Sequence, residues 1–242
     1  PPAGIVIPAT VEQLVIAAGL FWALSANRAF LGAALKDRAL HDPAAWGFAA
    51  AMFAVVASLN MLLLALAANR WTVKPLISVM TLATAAASHF MGTYGVYLDP
   101  SMLRNVLRTD VSEAGELASS GLLLHLALYA GMPLLLLWRV RIVRRPWLRA
   151  AGVRIGFLLA TSAVLAAAVL SVFQPFASLM RNHRELRYLI TPANLLWSAA
   201  RVAATETSGA AQPRRATGPD AAPGPSRAAR PRPLGPGPAA GD

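Results

Sequence analysis

Asn105, Thr109 and Glu113 recur every four residues, so on a helix they share one face and align an amide, a hydroxyl and a carboxylate. Ser112 and Glu116 lie close to that face. The chemistry such a row offers is recognition: the groups donate and accept hydrogen bonds and carry negative charge. Nucleophilic catalysis fits poorly. Thr109 has only Glu113 as a nearby base, and no metal-ligand set accompanies it to lower the pKa of its hydroxyl. Polar groups on one side of an interfacial helix also arise simply as its wet face, and spacing alone leaves both readings open.

A helix must carry this row. Asp99 is a good N-cap and Pro100 suits the first helical position, so the sequence predicts an amphipathic helix over 99–117. Leu103, Val106, Leu107, Val111 and Ala114 fall on the face away from the polar row. The segment is the longest polar interruption in an otherwise apolar first half, which places it at a membrane surface.

The surrounding composition is that of a membrane protein. Of 242 residues, 56% are hydrophobic and only 14% charged, against about 25% charged in soluble domains. The apolar residues come in blocks long enough to cross a bilayer. The expected fold is all-α and polytopic. Five spans are read at about 11–35, 44–68, 76–92, 118–138 and 155–173, after a short N-terminal segment, 1–10. Ser25, Asn27 and Arg28 sit towards the far end of the first span, Arg28 as an interfacial anchor. Pro133 is expected to kink the fourth. The chain has no cysteine, which excludes disulfides, Cys-ligated zinc and Cys nucleophiles.

The net charge of +11 could suggest nucleic acid, but the cations sit in short loops. The second and fourth loops hold eight Lys or Arg and no acid; the first and third hold four cations and six acids. The positive-inside rule then puts the second and fourth loops and the N-terminus in the cytoplasm, and helix 99–117 on the periplasmic side of a bacterial inner membrane. Residues 174–204 follow the last span. They read as two short periplasmic interfacial helices, begun at Pro175 and at Pro192 behind a capping Thr191, with Arg181, Arg184, Arg187 and Arg201 towards headgroup phosphates. The tail, 205–242, holds eight Pro and six Gly with one Leu and no aromatic, and is expected to be disordered.

YGVYLDPSMLRNVLRTDVSEAGEL (Tyr94–Leu117) and RNHRELRYLITPANLLWSAARVAA (from Arg181) resemble two stretches of the phosphoethanolamine–lipid A transferases, the family of the mobile colistin-resistance enzymes. The resemblance covers about residues 11–204, and RNHRELRYLITP is its most specific motif. It implies a five-helix membrane domain joined to a periplasmic, alkaline-phosphatase-like domain with zinc and a threonine nucleophile. Such an enzyme moves phosphoethanolamine from phosphatidylethanolamine to lipid A. Asn105, Thr109 and Glu113 match the positions through which the family's membrane domain contacts the headgroup. The chemistry suits that role, since a carboxylate pairs with ammonium while amide and hydroxyl groups bond phosphate oxygens.

The family's chain passes from this bridge into a hydrophobic strand and a Gly-Glu-Thr segment that opens the catalytic domain. Here RPRPL and GPGPAAGD follow instead, and His41, His89, His125 and His183 lack metal-ligand spacing. The expectation is a truncated or frame-shifted product with no cofactor of its own, silent alone because binding without transition-state stabilisation does not accelerate chemistry. The expected partners are phosphatidylethanolamine, lipid A and membrane lipids, not nucleic acid. The alternative is a non-enzymatic inner-membrane module that binds lipid or a partner protein. A small transporter fits less well, because the spans are nearly charge-free and no internal repeat is visible.

Overall fold

The computed structural model describes residues 7–36, 38–39, 41–108 and 119–211. The chain runs β1 (Ile7–Ala9), α1 (Val11–Ser25), α2 (Arg28–Leu35), α3 (Pro43–Ala67), α4 (Val73–Tyr94), α5 (Pro100–Arg108), α6 (Ser120–Arg139), β2 (Val140–Ile142), α7 (Trp147–Ser171), α8 (Phe173–Asn182), a 3-10 turn (Arg184–Leu189) and α9 (Ala193–Ala211). It is a polytopic all-α protein. Four helices, α3, α4, α6 and α7, are long and apolar enough to cross a membrane, and α1 with α2, taken together across a 55° bend, is the candidate fifth span.

Local signals start several of these helices. Thr10 and Gln13 form a reciprocal capping box at α1. Asp42 accepts from the Ala44 amide at 2.9 Å ahead of Pro43, the first residue of α3. Ser119 caps α6 through the Leu122 amide at 3.2 Å. Gly95, at φ +64°, ends α4 in the left-handed conformation that glycine adopts at least cost.

α3 is the central helix and packs along α1 and α7. Two apolar clusters stack along the bundle. One, around Phe30, Phe48, Met52 and Val56, reaches Leu186 and Leu189 after the last span. The other, around Val15, Trp22, Leu64 and Val73, lies towards the opposite end. Between them the Trp22 indole donates to the Thr81 hydroxyl at 3.1 Å, so the polar edge of a buried ring is satisfied. Leu135, Leu136, Leu159 and Leu170 on α6 and α7 are each more than half exposed. An apolar outer surface of that kind is a lipid-facing one.

The structure departs from the expected boundaries where local rules permit a helix to run on. α4 begins at Val73, before Pro75, because a proline in the first turn forfeits no intrahelical bond. α7 begins at Trp147, eight residues before the expected 155, since RAAGVR is itself helix-compatible. The fourth span carries a π turn at Ala127–Gly131, just before Pro133, whose ring would otherwise press on the preceding turn. α9 continues to Ala211, into the stretch expected to be disordered, because Thr205 to Ala211 contains no proline. Residues 212–242 lie outside the described residues. A short parallel pairing of β1 with β2, Ile7 opposite Val140, adds a ribbon that the all-α expectation lacked.

Candidate headgroup site

The chain enters α1, leaves α3, enters α4, leaves α6 and enters α7 at one end of the bundle; α5, α8 and α9 gather at the other. α5 is set by its cap. The Asp99 carboxylate accepts from the Met102 amide at 2.8 Å and the Ser101 hydroxyl at 2.7 Å, and these bonds hold its pKa below the ordinary carboxylate value. Two bonds tie α5 to α9. The Ser198 hydroxyl donates to the Leu98 carbonyl at 2.9 Å, and the Arg104 guanidinium donates to the Thr205 hydroxyl at 3.0 Å. Thr205 in turn donates to the Arg201 carbonyl at 3.0 Å.

Beside this junction lies a cavity of about 490 Å3, bounded by Pro100, Arg187, Tyr188, Asn194, Trp197 and Arg201, with Leu59 of α3 as apolar floor. The Arg187 guanidinium donates to the Tyr188 hydroxyl at 3.0 Å and sits over its ring. Arg201 lies 6.0 Å from the Trp197 ring centroid. Two guanidinium groups held by aromatic faces above an apolar floor suit a phosphate attached to something greasy. Glu185, half-exposed, has its pKa lowered by its own backbone N–H and by His183 at 3.3 Å.

Asn105 is exposed on α5. Thr109 and Glu113 lie outside the described residues. Thr191 does not cap α9. Its hydroxyl donates back to the Leu189 carbonyl at 3.3 Å, and it is buried, with Asn27 of the first span bonded to both its backbone N–H and its C=O. Nor does Pro175 open α8, which starts at Phe173. Two histidines that look scattered in the sequence come together: the His89 and His125 rings are 5.3 Å apart, and Ser88 bonds His125 at 3.0 Å. Of the two, His125 lines a smaller cavity of about 190 Å3, with Ser88, Arg28 and Tyr129, so Arg28 borders that cavity. Sequence reading could have found this pair only by asking which polar groups of antiparallel neighbours sit at equal depth. Among the described residues no three His, Asp or Glu side chains gather to hold a metal ion, so no zinc chemistry is assigned to them.

Residues 56–207 match the family described as "Phosphoethanolamine transferase EptA/EptB". The chain belongs to that family. Over 202 residues it is 26% identical to the phosphatidylethanolamine transferase Mcr-1 of Escherichia coli, covering 83% of this chain and 37% of that protein. Over 153 residues it is 30% identical to the phosphoethanolamine transferase EptA of Escherichia coli O157:H7, covering 60% and 27%. The fold is that of the integral membrane protein lipooligosaccharide phosphoethanolamine transferase A (EptA) from Neisseria meningitidis, with a TM-score of 0.79 at 22% identity over 86% of this chain and 38% of that one. The chain therefore spans 27–38% of the length of these proteins and corresponds to the membrane domain of a phosphoethanolamine transferase.

Proposed function

We propose that this membrane domain holds the headgroup of phosphatidylethanolamine at the α5–α9 junction, for transfer of phosphoethanolamine to lipid A. The observation that carries the reading is the cavity in which Arg187 and Arg201 flank an apolar floor beside the capped start of α5. The arginines take the phosphodiester. Asn105 and Thr109 supplement those bonds, and Glu113 pairs with the ammonium, the carboxylate of Asp99 being committed to its cap. Loop charges favour a bacterial inner membrane with the N-terminus cytoplasmic and this cavity at the periplasmic leaflet.

The described residues offer binding without an activated nucleophile, so the chain on its own does not transfer the group. The test is mass spectrometry of lipid A from cells that lack other such transferases and express this chain. Unmodified lipid A is expected; phosphoethanolamine on lipid A would contradict silence. Co-purification of phosphatidylethanolamine, lost on substitution of Arg187 and Arg201, tests the binding half separately.

A further inference from the structure

The opposite end of the bundle carries a second cavity, of about 380 Å3, built from three short connections. Thr10 and Glu12 at the start of α1 form one wall, Asn69 and Arg70 after α3 another, and the start of α7 with the loop before it the third. Arg70, Arg144, Arg145 and Arg154 line it against a single carboxylate, Glu12. That carboxylate is already spent, since Arg145 pairs with it at 3.0 Å.

The cluster is positioned by rigid parts. Asn69 accepts from the Trp71 and Thr72 amides at 2.8 and 3.0 Å, which fixes the turn that presents Arg70. Arg154 donates to the Ala65 and Ala68 carbonyls and closes the C-terminal end of α3. The β1–β2 ribbon, extended by the Val143 amide bonding the Ala9 carbonyl at 2.9 Å, anchors the loop that carries Arg144 and Arg145. Among the described residues Arg144 has no hydrogen-bond or ion-pair partner. α7 begins without a side-chain cap, so its first turn adds positive potential to the same cavity.

We infer that this cavity binds the phosphodiester headgroup of an anionic phospholipid. Guanidinium groups match phosphate oxygens in pairs, and basic pockets between membrane helices take acidic headgroups. The lipid, rather than free phosphate, is favoured by what stands at the rim. Trp147 is 77% and Leu148 68% exposed, and an indole at that level belongs among acyl chains and headgroups. A zwitterionic headgroup is disfavoured, because its ammonium would meet arginines and a carboxylate that is already paired. The site lies at the far end of the bundle from the α5–α9 cavity and does not depend on the reading given to that one.

Native mass spectrometry of the full chain in neutral detergent tests the inference with phosphatidylglycerol, phosphatidylethanolamine and inorganic phosphate as separate additions. Phosphatidylglycerol adducts are expected to persist and to weaken about thirtyfold in Arg70→Gln/Arg144→Gln. Both side chains are exposed, so helicity by circular dichroism should not change. Arg139→Gln/Arg149→Gln removes two cations of the same end that do not line the cavity and should leave the adducts intact. Full retention in the first variant, equal loss in the second, or equal retention of inorganic phosphate would each overturn the inference.

Discussion

Asn27, at the break in the first span, holds both polar groups of the Thr191 backbone: its Nδ2 donates to the Thr191 carbonyl at 2.7 Å and its Oδ1 accepts from the Thr191 amide at 2.8 Å. The same Nδ2 donates to the Trp22 carbonyl at 2.8 Å, which also accepts from the Ala26 amide at 3.0 Å. Asn27 and Thr191 are fully buried, so one side chain ties α1 and α2 to the segment that lines the α5–α9 cavity. Asn27→Ala leaves the Thr191 N–H and C=O unpaired away from water, at a cost of about 1–3 kcal/mol for each. The expected result is a clear drop in thermal midpoint in detergent and loss of phosphatidylethanolamine binding. An unchanged midpoint would show that the pair is dispensable.

Gly19 lets α1 approach α3. A Cβ there would stand 2.6 Å from Cγ of Met61 and 3.4 Å from the Ala57 carbonyl. Close approach at small residues is how membrane helices gain contact where no hydrophobic force separates them from lipid. Gly19→Ala is expected to destabilise by about 1–3 kcal/mol through overpacking. Met61→Ala in the same chain should recover part of that loss, a coupling that a double-mutant cycle of melting free energies reads directly.

Asp99 gives the α5 anchor a pH dependence. Its folded pKa lies below the ordinary value of 3.8, so the cap contributes fully above that value and is lost as pH falls through the lowered one. Amide exchange at Met102, relative to its intrinsic rate, should therefore not change with pH near neutrality and should accelerate only below about pH 4. Asp99→Ala should produce that fraying at all pH values, at about 1 kcal/mol. A Met102 amide equally protected in the variant would remove the cap from the account.

The spans were legible because lipid imposes length and polarity on every residue of a crossing helix, so the blocks around α3, α4, α6 and α7 could be counted. The start of α5 was legible because a cap and a proline act locally. The break at Asn27 was not. A polar residue inside an apolar run looks like the approach to a span end, and its partner is 164 residues away. Thr191 misled for the matching reason: it has a capping residue's chemistry, but its backbone is claimed by Asn27. The site divides the same way. Arg187 and Arg201 were readable as phosphate-facing cations, whereas their meeting with Pro100 around one cavity depends on the α5–α9 bonds.

The two cavities make opposite demands on a lipid, and that yields the most discriminating prediction. The α5–α9 cavity is to take a zwitterionic headgroup, with Arg187 and Arg201 on the phosphate; the far cavity is to take an anionic one, with Arg70 and Arg144. Arg187→Gln/Arg201→Gln should weaken phosphatidylethanolamine retention about thirtyfold while sparing phosphatidylglycerol, since each cation near a membrane surface is worth about 1 kcal/mol towards a phosphate. Arg70→Gln/Arg144→Gln should do the reverse. Loss of both lipids from either variant would mean that unfolding or bulk charge governs binding, and the two sites would fall together. The counterpart of Glu113 in a full-length relative completes the set: its change to Ala should abolish lipid A modification without lowering expression, because the ammonium would lose its carboxylate while the arginines kept the phosphate.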